Sequence, residues 1–366
     1  MEKYRHVFER FATFDNMYDG YLKARKHKRQ QDCVLQYTNL LEDNLIDSVN
    51  RLQWHEYHTG QLHQFYEYYP KLRLISSLPF YDRVINCAAH NVLWPIYRKS
   101  MYEYSFGSIE EKGPIRASRT VQQWMRSYAR KPGDWYIVKM DIAKFFFRIP
   151  VDVQLRELSK PLDDPDMTWF LEQAIRCDGR PLGLPVHCTD VTTAERISGI
   201  GMQVGSLISQ MTANVVMTPT DYYIKRELRV PEHARFMDDM MCIVDGKKAA
   251  WEVVGYVDDY LRTNVGLQLN DKTAVIPLGK PVEFVGRKIT PDKIELRRQT
   301  SLGMKKHLRY VREAYGRGEV PFEYALSVIQ SYLGLMQDCN NDALRNQILE
   351  DYVLVRHSQD MLDAAE

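Results

Sequence analysis

The sharpest chemical signal in the sequence is a pair of adjacent carboxylates. Asp238 and Asp239 sit inside Arg235-Phe236-Met237-Asp238-Asp239-Met240-Met241-Cys242-Ile243-Val244-Asp245-Gly246. Apolar residues on both sides and the Asp245-Gly246 stop read as a β-hairpin with the pair at its tip. Neighbouring carboxylates repel, so a cation is expected to offset them. A third carboxylate, Asp141, ends the β-rich run Trp135-Tyr136-Ile137-Val138-Lys139-Met140-Asp141. If that strand and the hairpin share a sheet, Asp141, Asp238 and Asp239 meet at one edge. Such a hard-oxygen set suits Mg²⁺. Two such ions about 3.5–4 Å apart serve phosphoryl transfer, activating an attacking hydroxyl and stabilising the leaving oxygen. Asp141 and Asp238 would bridge them, with Asp239 less directly engaged.

The elements that must position these residues are legible in outline. Lys131-Pro132-Gly133-Asp134 is a turn that launches the strand ending at Asp141. Gly205 to Leu228 has the length and periodicity of one long helix. Between Pro70 and Pro79, Lys71-Leu72-Arg73-Leu74-Ile75 reads as a short strand. The helix from Asp82 through Val92 is expected to end before Pro95. Cys177 to Ser198 is polar, carries Gly179, Pro181, Gly183 and Pro185, and reads as a loop insertion.

Charge is informative by its distribution. The 366 residues carry 49 Lys and Arg against 48 Asp and Glu, a formal +1 that by itself points to no partner. Yet five of the seven residues from Lys23 to Arg29 are basic, and Arg287–Arg317 holds ten basic residues against three acidic ones. Each run alone is as well explained by a solvated helix face; together they suit two walls of a polyanion channel. At 45% hydrophobic and 27% charged the chain is ordinary for a globular protein, which excludes wholesale disorder and leaves enough for two or three structural units. No apolar run approaches a membrane span, and the first residues lack a signal-peptide core, so a cytoplasmic location is expected. The six cysteines are scattered without a CxxC pair, which argues against a zinc site or a disulfide framework.

Taken in order, these features resemble the motifs of reverse transcriptases. Asp141-x-x-Lys144-Phe145-Phe146, then Val204-Gly205-Ser206-Leu207-Ile208-Ser209-Gln210-x-x-Ala213-Asn214, then Phe236-Met237-Asp238-Asp239 follow the order and approximate spacing of the palm motifs. Gly266-Leu267-Gln268-Leu269-Asn270-Asp271-Lys272-Thr273 and Val282-Glu283-Phe284-Val285-Gly286 are similar to the two later ones, and Lys71-x-Arg73 to the fingers motif. Five ordered motifs carry far more weight than a lone pair of aspartates. Within that family the chain most resembles the enzymes of diversity-generating retroelements. These have an aliphatic residue, Gly and a closing Ser-Gln where most members carry Gln-Gly-x-x-x-Ser-Pro; here the match is Val204-Gly205-x-x-x-Ser209-Gln210. Two departures are Phe236-Met237 in place of Tyr-Ala or Tyr-Val, and the long Cys177–Ser198 stretch.

The resemblance implies an α+β right-hand polymerase: an N-terminal segment and fingers (1–134), a palm on an antiparallel sheet (135–289, with an insertion about 151–199), and a helical thumb with a tail (290–366). It implies RNA-templated DNA synthesis. Asp141, Ile142, Asp238 and Asp239 would be the metal-binding set for two Mg²⁺, with Mn²⁺ as a substitute. Lys71 and Arg73 would hold the triphosphate of a dNTP, and Phe146 would be the steric gate against a ribose 2′-hydroxyl. Val204, Gly205, Ser206 and Gln210 would line the nucleotide pocket, and Lys272 would protonate or screen departing pyrophosphate. Lys305, Lys306, Arg309 and Arg312 would face the phosphates of an RNA/DNA duplex. Valine at 204 removes a hydrogen-bonding side chain, in keeping with a family known for misincorporation opposite template adenines. Implied partners are a template-repeat RNA and a small basic accessory protein. Two rivals stand beside this reading: a phage-defence enzyme of the abortive-infection type with protein-primed or untemplated synthesis, and a silent palm that serves as an RNA-binding scaffold.

Overall fold

A computed structural model describes residues 3–67, 73–185, 188 and 195–356. In chain order its elements are α1 (Val7–Phe11), α2 (Phe14–Ala24), α3 (Asp32–Asn39), α4 (Leu41–Gln53), β1 (His63–Glu67), β2 (Arg73–Ser77), α5 (Phe80–Arg98), α6 (Pro114–Tyr128) and β3 (Trp135–Asp141). There follow α7 (Phe145–Arg148), α8 (Val151–Ser159), α9 (Pro165–Arg176), α10 (Leu207–Tyr222), β4 (His233–Phe236), β5 (Asp239–Asp245) and α11 (Lys247–Tyr260). The last are β6 (Ala274–Pro277), β7 (Val282–Phe284), β8 (Arg287–Ile289), β9 (Ile294–Leu296), α12 (Arg298–Gly316), α13 (Phe322–Met336) and α14 (Asp342–Asp351).

The chain divides into two compact units. One comprises Met1–Ser108, Met140–Met240 and Trp251–Thr273; the other comprises Ile109–Lys139, Met241–Ala250 and Ala274–Glu366. Strands β3 and β5 pass from one into the other.

The core of the first unit is helical. Phe11, Met17, Leu45, Val84, Ala88, Leu158, Phe170 and Met211 belong to one buried cluster. Helix α2 approaches α5 so closely at Gly20 that a Cβ there would meet the Val84 carbonyl at 2.6 Å and Ala88 beyond it, so this crossing requires glycine. Asp164 organises two helix starts at once. One carboxylate oxygen caps α9 by accepting from the Met167 N–H, and the other accepts from the first two amides of α1, Val7 and Phe8. The stretch expected as an insertion at 151–199 thus opens with α8 and α9, both packed into the main core. Of Cys177–Ser198, the described part is held by a two-way main-chain pairing of Gly183 with Ile197.

Two expected boundaries move. Helix α5 does not stop before Pro95 but runs through it to Arg98. Ile96 and Tyr97 beyond the proline are buried, and the Tyr97 hydroxyl donates to the Leu158 carbonyl, so tertiary packing outweighs the one main-chain hydrogen bond that proline forfeits. The long helix begins at Leu207, with Ser206 at its cap, and after Tyr222 widens into a π-type turn over Tyr223–Glu227.

The second unit is built on the antiparallel meander β7-β8-β9, with Val282 opposite Ile289 and Arg287 opposite Leu296. Leu296, Met304, Leu308, Met336 and Ile348 close a small core among β9, α12, α13 and α14. Buried Arg287 is satisfied by Ser118 Oγ and the Leu335 carbonyl. Among the described residues, no helix is long and apolar enough to cross a membrane.

Candidate active site

The four-stranded sheet has the order β4-β5-β3-β6, with β3 antiparallel to β6. Hydrogen bonds at the two ends of β3 align it with β5: the Gly246 N–H donates to the Asp134 carbonyl at 2.8 Å, and the Ile142 N–H to the Asp238 carbonyl at 3.2 Å. The two strands therefore run in opposite directions, which puts the end of β3 beside the β4–β5 turn. Asp141 and Asp238, far apart in sequence, become neighbours by strand pairing alone. The turn is tight. Met237 takes a left-handed conformation with φ 56°, Asp238 forms the tip, and Asp239 is already the first residue of β5.

A third segment wraps Asp141. The Asn270 N–H donates to the Asp141 carbonyl at 2.8 Å, the Ala143 N–H to the Gln268 carbonyl at 2.9 Å, and the Asn270 side-chain amide donates to the Asp141 carboxylate. Asn270 Oδ1 in turn accepts from the Lys272 N–H at 2.8 Å, which ties the exposed Lys272 to the same loop. Main chain thus gathers Asp141, Ile142, Asp238 and Lys272. Among the described residues, no three His, Cys, Asp or Glu side chains cluster closely enough to hold a metal ion between them. The donor chemistry still fits Mg²⁺: carboxylate oxygens and a main-chain carbonyl are hard donors, and no thiol or imidazole side chain stands at these positions.

On the other side of Asp141, Lys144 adopts φ 51° and starts the single turn α7. Phe145 is buried against the core while Phe146 remains half-exposed, its ring edge-on to Phe145 at 5.4 Å. The Phe146 carbonyl accepts from the Met202 N–H at 2.7 Å, which carries the chain on to Val204. Val204, Gly205 and Ser206 line a cavity of about 400 Å³ together with Lys23, Lys28 and Arg83. Arg83 is braced by the Leu78 carbonyl and Ser77 Oγ at the end of β2. Gln210 stands half-buried in the first turn of α10. Lys71 lies outside the described residues, and of Arg73 only the backbone is described, paired with Glu67.

In the second unit, Lys305, Lys306, Arg309 and Arg312 lie exposed on α12. Lys305, Arg309 and Arg312 line a groove of about 340 Å³ whose other wall includes Gln347, Ile348 and Tyr352.

Sequence reasoning gave no role to the residues behind the turn. Asp221 and His233 are paired at 2.8 Å, and Arg235 meets the same carboxylate with bonds of 2.8 and 2.9 Å, all three side chains wholly buried. Burial alone would push the Asp221 carboxyl up, but the Arg235 guanidinium and the His233 hydrogen bond prevail and hold it below the usual carboxylate range. The Arg235 guanidinium is committed to Asp221. A signal was available: Asp221 is the one charged residue in the sixteen of α10.

A model of the family described as reverse transcriptase (RNA-dependent DNA polymerase) matches residues 68–289. Protein YkfC of Escherichia coli K12 is 21% identical over 252 residues, 60% of this chain and 63% of the relative, so the chain spans less than two thirds of that curated protein. Among solved structures, telomerase from Candida albicans in complex with a TWJ fragment of telomeric RNA is a remote likeness. It has a TM-score of 0.44 and 12% identity, over 80% of this chain and 55% of that one.

Proposed function

Because the chain belongs to the reverse transcriptase family, we propose that it is an RNA-directed DNA polymerase, with residues 1–134 supplying the N-terminal segment and fingers, 135–289 the palm, and 290–366 the thumb and tail. The observation that carries this reading is the adjacency of Asp141 and Asp238 through the Ile142–Asp238 hydrogen bond. Asp141, Asp238 and the Ile142 carbonyl would hold Mg²⁺, with Asp239 in support; when bound, the metal supplies charge stabilisation at the reacting phosphate. In the reaction a primer 3′-hydroxyl attacks the α-phosphorus of a dNTP, a phosphodiester bond forms, and pyrophosphate leaves. Lys71 and Arg73 would grip the triphosphate. The half-exposed Phe146 would close the space a 2′-hydroxyl needs. Lys272, on the loop that wraps Asp141, would donate a proton to pyrophosphate. The basic cavity lined by Val204, Gly205 and Ser206 would belong to the nucleotide pocket, and the α12 face suits duplex backbone.

We infer further that the template is the RNA of a diversity-generating retroelement and that synthesis errs at adenines, with an accessory basic protein as partner. The support is Val204, which lines the cavity with no hydrogen-bonding group to discriminate bases. The experiment is Mg²⁺-dependent dNTP incorporation on a primed, adenine-containing RNA, with products sequenced. Asp238→Asn is expected to lose about 10²–10³-fold, and errors are expected to concentrate opposite adenine. Incorporation that survives Asp238→Asn would overturn the site assignment, and uniform fidelity would remove the retroelement reading while keeping the polymerase.

A further inference from the structure

Asp238 follows a residue in a conformation that methionine seldom adopts. A positive φ costs a non-glycine residue free energy and persists only where its surroundings over-determine it. Met237 is held from two sides. Its carbonyl accepts from Arg235 Nη1 at 3.3 Å. Its main chain packs against Gly107 so tightly that a Cβ there would meet the Met237 nitrogen at 2.8 Å.

Arg235 is itself fixed. Nε donates to both oxygens of Asp221 at 2.9 Å, and Nη1 also reaches Asn214 Oδ1 at 3.2 Å. Asn214 and Asp221 lie seven residues apart on α10, so both project from one helix face towards β4. Asn214 is anchored in turn: its amide donates to the Gly107 carbonyl at 2.9 Å, and its oxygen accepts from Ser105 Oγ at 3.1 Å. The 104–106 segment then closes the frame on β4 through main chain alone, the Arg235 backbone N–H donating to the Tyr104 carbonyl and the Phe106 N–H to the Arg235 carbonyl. One guanidinium thus joins a helix, a strand and the turn that presents Asp238.

We propose that Arg235 is a positioning residue for nucleotidyl transfer: locked by Asp221 and Asn214, it imposes the left-handed turn at Met237 that aims Asp238. This rests on the polymerase reading above. Its geometric content is independent of that reading: without the fork, the turn loosens while the fold remains. Lysine at this position keeps the charge that Asp221 requires, but its three donors share one nitrogen and lack the planar fork that spans Asp221, Asn214 and the Met237 carbonyl.

Arg235→Lys is therefore tested with two readouts, single-nucleotide incorporation and amide hydrogen exchange over 236–240. In a variant that still melts cooperatively, kcat is expected to fall about 100-fold with KM for dNTP changed little, the penalty of a displaced reacting group. Exchange in the turn is expected to rise about tenfold or more as local opening becomes easier. A folded Arg235→Lys enzyme with kcat near wild type, or with reduced kcat but unchanged exchange in the turn, would overturn the proposal. If Arg235→Lys does not fold, Asn214→Ser carries the test. It leaves the Arg235–Asp221 pair intact and is expected to lower kcat about tenfold with faster exchange in the turn; wild-type values there overturn the proposal. If the wild-type chain incorporates no nucleotide, the polymerase reading fails, and the exchange readout still decides whether Arg235 sets the turn.

Discussion

Two groups of charges in this chain sit in opposite environments. Behind the turn that carries Asp238, Arg235, Asp221 and His233 are wholly buried and bonded to one another. Along α12, Lys305, Lys306, Arg309 and Arg312 are exposed, and Lys305 donates to the neutral Gln347 amide oxygen at 2.9 Å. A near-zero net charge conceals this division. A buried charge has already lost its water, so it must be paired, and its geometry is then rigid enough to position something else. An exposed charge keeps its hydration, adds little to folding, and stays available to a polyanion. Buried arginine frames the candidate site; exposed arginine would offer a grip. Substitutions should separate the two roles, because one set of effects falls on stability and the other on binding.

The largest effect is expected at Asp221. Asp221→Ala leaves Arg235 as an uncompensated buried cation, and breaking such a pair costs about 3–5 kcal/mol. Urea denaturation should show this as a lower midpoint with little change in slope. The pH dependence has a definite sign. The Asp221 carboxyl is held below its unfolded value, so its contribution is fully present above about pH 4 and is lost as pH falls through the depressed value. Loss of less than about 1 kcal/mol in Asp221→Ala would mean that Arg235 is not left as an uncompensated buried cation, and the contrast with α12 would collapse.

His90 sharpens the contrast from the neutral side. It stacks on Trp94 at 5.3 Å, and burial, with Lys23 nearby, moves its imidazole from 6.5 down to about 4. Because the folded value is depressed, the associated stability is complete above pH 6.5 and is lost as pH falls towards 4. That amounts to at most about 3 kcal/mol. Buried Asp82 works in the opposite sense, since burial raises its carboxyl despite hydrogen bonds from Tyr57 and the Gly60 amide. Comparing wild type with His90→Phe isolates the imidazole: the variant's melting temperature should fall less steeply between pH 6.5 and 4.5. Parallel curves would show that His90 is solvated in both states.

What could be read from the sequence was what is local in it. The strand ending at Asp141, the hairpin around Asp238 and the helix after Ser206 each announce themselves within a dozen residues, by apolar patterning and a stop. The bonds that set their geometry do not. Asn270 reaches Asp141 across 129 positions, and nothing in Gly266–Thr273 alone reveals that its amide will find that carboxylate. Arg235 opens the hairpin run without a role of its own there; Asp221 on α10 supplies one. The end assigned to α5 failed for a related reason: a local rule about proline met the packing of Ile96 and Tyr97. Side chains whose partners are distant in sequence carry their roles in the fold rather than in the motif.

The smallest expected effect on folding, and the most selective one on binding, lies on α12. Replacing Lys305, Arg309 and Arg312 together by glutamine removes three exposed charges and leaves Met304, Leu308 and Val311 to pack as before. Stability should move by no more than about 0.5 kcal/mol per site, as for surface substitutions in general. Affinity for an RNA/DNA duplex should fall most at low salt. If each of these cations neutralises a phosphate, the slope of log affinity against log salt should become shallower by about 2–3. The two measurements decide between grip and scaffold. An unchanged slope with a lower melting temperature would make this face a structural one, because the groove that Lys305, Arg309 and Arg312 share with Gln347 and Ile348 would then be holding α14 rather than a ligand. A shallower slope at constant stability would mean that these charges do their work only when a polyanion is bound, the reverse of Arg235, whose bonds are complete before any substrate arrives.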